Sequence, residues 1–229
     1  MLDSRTHRVA AAVVAMAYIA IQSFQWFVFA QLPGADDPAQ ALLQGPLPLN
    51  IARAVLMLLS FFGLAYLFLV CCAIAYRRRP AAAVLAFAGF FVFCLLEVQL
   101  RSIELFYVFL ELPAQYLATT SANEQARILA LQSTFQSVQH ALYFVLGLTW
   151  LLGSVALCLG LGGQRIDGLA RFAFALNALR LALRMLDTYV LGGPHFDALY
   201  GALYLPLVYL TFVPIAAWLL LRRDQDTSR

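Results

Sequence analysis

The sequence predicts an all-α integral membrane protein of six transmembrane helices, and three observations carry that prediction. The 229-residue chain is 63% hydrophobic and 12% charged, with a mean hydropathy of +0.80, far above the roughly 45–50% apolar content of a soluble domain. Its apolar residues gather into runs of about 20 or more, the length that a bilayer's hydrocarbon core demands of a helix. Arginine collects in alternate loops between those runs, as it does when a membrane chain has a fixed orientation. Residues 1–229 are therefore expected to form one six-helix transmembrane domain.

The first span covers about Val9 to Phe29 and follows Arg5, His7 and Arg8. Its apolar core is longer than the roughly 7–15 residues of a secretory signal, so it is expected to be a retained helix. The stretch from Gln31 to Asn50 holds Pro33, Pro38, Pro46 and Pro48 with Asp36 and Asp37, lacks periodicity, and reads as an acidic cap or connector. The second span, about Ile51 to Tyr76, ends at Arg77, Arg78, Arg79 and Pro80. The third begins near Ala81 and keeps a helical pattern to Leu112, where Pro113 is expected to stop it; at 1.5 Å per residue that is about 48 Å, longer than a bilayer is thick. The fourth should start outside the bilayer, because Ser121 and Glu124 have the spacing of a capping box, and can run to about Leu161. Helices three and four would then project on the outer side as a hairpin. The fifth covers about Leu169 to Leu191, with Asp167 as its cap and Gly192, Gly193 and Pro194 as its stop. The sixth, about Ala198 to Leu221, carries Pro206 and Pro214.

All fifteen basic residues are arginine, a bias that fits a GC-rich bacterial genome. Ten of them, at 5, 8, 77, 78, 79, 165, 171, 222, 223 and 229, belong to one side of the six-span arrangement. The opposite loops hold Asp36, Asp37, Glu124 and Asp197, with only Arg127 and, at a span's edge, Arg53. The positive-inside rule then predicts a bacterial inner-membrane protein with both termini cytoplasmic. Counted along that topology, every span keeps its polar side chains in the outer half, so a cavity is expected to open outward over a sealed apolar floor.

Within the third span, Glu97, Arg101, Glu104 and Glu111 are spaced four, three and seven apart and share one helical face. Charges at membrane depth cost a few kcal/mol on insertion scales, so they point into protein or a watery cavity and mark candidate sites. The fifth span repeats the logic with Asn177, Arg180, Arg184 and Asp187. Arg101-Ser-Ile-Glu104 and Arg184-Met-Leu-Asp187 share an Arg-x-x-acid pattern on helices that run the same way, and their depths suggest that Glu97 pairs with Arg184 and Arg101 with Asp187. The acids Glu97, Glu104, Glu111 and Asp187 would together balance Arg53, Arg101, Arg180 and Arg184. Arg180 is the deepest and has no acid at its own level. Gln132, Gln136, Gln139 and His140 on the fourth span, with Tyr200 and Tyr204 on the sixth, complete the polar set. Each has a plainer reading: paired charges fix helix register, a single histidine is commonly a hydrogen-bonded structural group, and tyrosines near the surface form an interfacial belt.

Several chemistries are set aside. His7, His140 and His195 offer no pair at matched depth for a haem, no metal cluster is visible, and no cofactor is expected. Cys71, Cys72, Cys94 and Cys158 lie within spans and read as packing residues, which excludes an outer disulfide framework. No phosphate loop, nucleophile elbow or zinc-protease motif occurs, and no basic tract suits nucleic acid. A channel is disfavoured because the polar lining stops halfway, and no inverted repeat marks a rocking carrier.

Three functions remain open. One is a solute-capture or transport component whose outward pocket binds a small anionic or amphiphilic ligand through Arg180, Arg184, Arg101, Asp187, Asn177, Gln136 and Tyr204. The second is an intramembrane enzyme acting on a lipid or isoprenoid-like substrate with Glu97, Glu104 and His140 as acid–base groups. The third is a structural or assembly subunit that uses the projecting hairpin to contact a membrane-protein partner. In each, membrane lipids are partners. The size, six helices, cytoplasmic termini and the Ala11/Ala15 pair of the first helix resemble the substrate-capture subunits of energy-coupling-factor vitamin transporters. That resemblance implies a ligand pocket and a small-residue docking face on the first helix.

Overall fold

The computed structural model of the chain describes residues 2, 4–35, 37–192 and 196–222, and among these no residue is in a strand. In chain order the elements are α1 (Arg5–Gln31), α2 (Pro38–Leu43), α3 (Pro48–Tyr76), α4 (Pro80–Ile103), a π-helical segment (Glu104–Glu111), α5 (Leu112–Ala118), α6 (Ala122–Gly160), α7 (Asp167–Met185), a second π-helical segment (Leu186–Val190) and α8 (Asp197–Leu221). Five rods are long and apolar enough to cross a membrane: α1, α3, the continuous stretch from α4 through α5, α6 and α8. The fifth predicted span is α7, which is not among them: Asp167, Arg171, Arg180 and Arg184 fall within its 19 residues.

The long helices pack in a closed ring, α1–α3–α4–α6–α7–α8 and back to α1. One end of the ring is rich in arginine. There His7 Nδ1 meets the Tyr66 hydroxyl at 2.8 Å, Arg79 donates to the Leu159 carbonyl at 2.6 Å, and Arg222 pairs with Asp167. The core is one apolar cluster that includes Phe68 stacked on Phe90 at 4.0 Å and Phe93 stacked on Trp150 at 4.4 Å. Such stacked rings contribute about 0.5–1.5 kcal/mol beyond the area they bury. The α4–α6 seam closes tightly where Gly89 faces Gly153, backbone against backbone, the approach that small residues permit in membrane bundles.

Four sequence expectations change. Pro113 does not end the third helix. It lies inside the continuous rod, directly after the π-helical turns that end with the Leu112 N–H bonded to the Tyr107 carbonyl, and the helix continues to Ala118. The capping box is not formed, because Glu124 is held by Arg127 through bonds of 2.6–3.0 Å and Ser121 makes no side-chain cap bond. The stretch from Gln31 to Asn50 contains α2, capped by Asp37 accepting from the Gln40 amide at 2.8 Å, and α3 already starts at Pro48. Ala11 and Ala15 are 0% exposed, so the small face of α1 lies inside the bundle and offers no docking surface. Asp36, Gly193, Pro194, His195, Arg223 and Arg229 lie outside the described residues.

Candidate functional site

At the end of the ring away from the arginine-rich end, a cavity of about 590 Å³ opens between α1, α4, α6, α7 with its π segment, and α8. That volume lies within the roughly 300–1,000 Å³ usual for small-molecule pockets. The spacing three, four, three carries His140, Tyr143, Gly147 and Trp150 along one face of α6 into the wall. From α4 come Phe93, Glu97 and Arg101, each a turn apart; from α7, Arg180 and Arg184; from α8, Tyr200, Gly201 and Tyr204; and from α1, Trp26.

The charges split into two groups on facing helices. On α4, Arg101 bonds Glu97 at 3.2 Å through Nε and Glu104 at 2.6 Å through Nη1. One guanidinium thus serves two carboxylates of its own helix. On α7, Arg180 donates from Nη2 to Asn177 Oδ1 at 2.9 Å, and Asn177 in turn donates to the Ser154 hydroxyl at 2.9 Å. Its guanidinium lies over Trp150, 5.0 Å from the ring centre, while Nε is buried and has no hydrogen-bond partner among the described residues. Arg184 lies over Tyr200 at 4.9 Å. Tyr204 is stacked on Trp26 at 6.1 Å and donates to Gln22 Oε1 at 2.7 Å. The Tyr189 hydroxyl donates to the His140 carbonyl at 2.8 Å, with the two rings 5.6 Å apart.

Of the predicted site residues, the cavity brings together Glu97, Arg101, His140, Arg180, Arg184 and Tyr204. The others stand elsewhere. Glu104 is behind Arg101, Asn177 supports Arg180 from a second row, Gln136 is exposed, and Asp187 is 1% exposed with neither carboxylate oxygen hydrogen-bonded among the described residues. The expected pairing of Glu97 with Arg184 and Arg101 with Asp187 does not occur: Glu97 and Arg101 bond each other, and the shorter bond of Arg101 goes to Glu104 a turn further along the same rod. Nor do four acids balance four arginines in one cluster. Glu111 is exposed and accepts from Gln115 at 3.0 Å. Arg53 makes no ion pair with these acids among the described residues; it is bonded to Asn50 at 2.8 Å and placed over Phe29 and Phe109 at 4.8 and 5.6 Å. For Glu111 the cause is the π-helical segment that begins at Glu104. Its hydrogen bonds reach the fifth residue rather than the fourth, so a seven-residue step beyond Glu104 no longer returns to the same face.

Sequence reasoning missed the aromatic wall of Trp26, Tyr143, Trp150 and Tyr189, although the spacing on α6 from His140 to Trp150 was a usable signal. It also missed a polar knot at the arginine-rich end. Asp167, read as a cap, is 1% exposed and accepts from Trp218 Nε1 at 2.8 Å, from the Gln164 amide at 3.0 Å, and from Arg222. The half of the bundle expected to be a sealed apolar floor therefore contains a buried carboxylate.

The α4 triad makes a direct prediction. Arg101→Gln is expected to lower stability by about 2 kcal/mol, the lower end for a desolvated pair that loses one partner, because Glu97 and Glu104 are left facing each other. Adding Glu104→Gln should return part of the loss in detergent melting curves. Additivity of the two changes within about 0.5 kcal/mol would show that the residues do not act together.

No family model, no curated protein and no solved structure matches this chain.

Proposed function

We propose that this is a bacterial inner-membrane protein of six spans whose outward-facing pocket binds a small anionic or amphiphilic ligand, as a solute-capture or transport component. In this reading α7 is the sixth span: its charged stripe faces the cavity instead of lipid, which is how membrane helices tolerate charge. Both termini are cytoplasmic, because the arginines gather at the end of the ring where α1 starts and α8 finishes. The 39 residues of α6, about 58 Å of helix, exceed the hydrocarbon thickness, so α6 and the α4–α5 rod project together as a hairpin on the outer side. Cysteines placed singly at Ala35 and Ala122 should then react with an impermeant maleimide in intact cells, whereas one at Gly168, where an added side chain meets no atom within 4 Å, should not. Labelling at Gly168 alone would invert the orientation.

One observation carries the binding reading: Arg180, in the wall of an aromatic cavity, has a neutral amide as its only hydrogen-bond partner among the described residues. A guanidinium at that depth is costly unless an anion answers it, and its planar fork suits a carboxylate or phosphate. The aromatic surfaces around it suit the apolar body of such a ligand. The acid–base alternative has less to draw on, since Glu104 is committed to Arg101 and His140 stands at the exposed rim.

Arg180→Gln removes an under-compensated charge, so it is expected to melt at or above the parent while losing the ligand. Arg180→Lys should keep the fold and weaken binding, because an ammonium cannot reproduce the fork. Gly201→Trp sends a large side chain into the cavity from a position with no atom within 4 Å of the added carbon and should exclude the ligand sterically. Native mass spectrometry of protein released from nanodiscs tests all three: the parent should carry a small-molecule adduct that Arg180→Gln and Gly201→Trp lack. An adduct that persists in both, or collapse of the fold in Arg180→Gln, would make Arg180 scaffold.

A further inference from the structure

Two charged side chains on different walls of the cavity each leave one hydrogen-bonding atom unused. On α7 this is Arg180 Nε, buried and without a partner among the described residues. On α4 it is Glu97, which is 9% exposed and bonded only through Oε2, by a 3.2 Å contact from Arg101 Nε. The shorter 2.6 Å bond of Arg101 goes to Glu104, so Oε1 of Glu97 makes no hydrogen bond among the described residues. Glu97 and Arg180 do not pair with each other, yet both line the same cavity, and Tyr204 stands close enough to each to feel both charges. Opposite charges that share a cavity without touching leave a gap that a suitable solute would complete.

We propose that the ligand is a zwitterion, with its anionic group on Arg180 and a primary ammonium on Glu97. The inference rests on the anion-binding reading above and adds the second charge. A simple anion would satisfy Arg180 but bring a like charge into the space that Glu97 faces. A neutral amphiphile would satisfy neither. An ammonium supplies the N–H donor that Glu97 Oε1 lacks, and Trp26 and Tyr143, which line the same space, are of the side-chain class that attracts cations through its π electrons. The required chemistry is an ammonium and a carboxylate or phosphate on one small apolar body. Two sources offer it: a free amino-acid-like solute, or the headgroup of an ammonium-bearing phospholipid.

Matched pairs that differ in the ammonium separate these cases. Protein purified in a maltoside detergent would be titrated with L-phenylalanine against 3-phenylpropionate, and with lysophosphatidylethanolamine against lysophosphatidylglycerol, with binding read by thermal shift and native mass spectrometry. In one pair the ammonium-bearing member should bind about tenfold or more tightly than its partner, the range expected of a charge-assisted hydrogen bond. The first pair showing it identifies a free solute, the second a lipid. Glu97→Gln should erase that preference and leave the affinity of the simple anion intact, whereas Arg180→Gln should lose both members. If Glu97→Gln melts far below the parent, Gly201→Trp takes its place and should abolish binding of the preferred member. Equal affinity within both pairs, or a preference that survives Glu97→Gln, overturns the zwitterion and leaves the anion pocket standing. Binding unchanged in Arg180→Gln overturns the anion pocket itself, and no binding by any of the four probes overturns the proposal for both sources.

Discussion

Gly89→Ala is expected to be the most damaging small substitution in the bundle, lowering stability by about 3 kcal/mol, the upper end of the cost of forcing a methyl group into a packed core. A β-carbon at position 89 would lie 2.6 Å from the Thr149 carbonyl oxygen and 2.9 Å from the Gly153 nitrogen. Both are backbone atoms of α6, so no side-chain rotation relieves the clash and the two helices must separate. Separation weakens the whole α4–α6 seam, including the Phe93–Trp150 stack that forms part of the cavity wall. Ligand retention should therefore fall along with the melting temperature. Gly201→Ala is the control. Its new methyl group meets no atom within 4 Å, and replacing a helical glycine removes a propensity cost of about 1 kcal/mol, so this variant should melt at or slightly above the parent. Equal melting of the two variants in detergent would show that the Gly89–Gly153 contact does not hold the seam closed.

Asp167→Ala should cost a comparable amount, about 3–5 kcal/mol, the range for breaking a buried charge pair by removing one partner. The substitution strips three partners at once: Trp218, which is 0% exposed, keeps an unsatisfied indole N–H, the Gln164 amide loses its acceptor, and Arg222 loses its counter-charge. Asp167→Asn should do less than half that damage. The amide oxygen can still accept from Trp218, and Arg222, at the end of α8, can turn its long side chain towards water. The ordering of parent, Asn and Ala in thermal melts is the check. An Asn variant as unstable as the Ala variant would mean that charge, rather than hydrogen-bond satisfaction, holds α8 against the start of α7. Because the knot lies at the far end from the cavity, neither variant should alter which ligands the surviving folded protein prefers.

The class of this protein was legible in its sequence. Apolar runs of bilayer length, arginine in alternate loops and helical spacing of the charges are one-dimensional signals, since desolvation acts on each residue where it stands in the chain. Helix ends were read to within a few residues where proline, glycine or a charge cluster interrupts the pattern, as at Tyr76 and Pro80. That Glu97, Arg101, Arg180 and Arg184 would face one interior followed from the same reasoning, and the cavity does gather them. Which charges meet was decided only by the tertiary structure. The direction a side chain takes around a helix axis accumulates along the helix, and the π-helical turns at Glu104–Glu111 and Leu186–Val190 reset it without leaving a mark in the residue types. Glu111 consequently leaves the interior; ahead of those turns, Arg101 bonds the two carboxylates nearest it along its own helix, and Glu97 and Arg180 line a shared space without pairing. Asp167 carries the same lesson: its position is that of a helix start, and only the packing of α8 beside it brings Trp218 and Arg222 within reach.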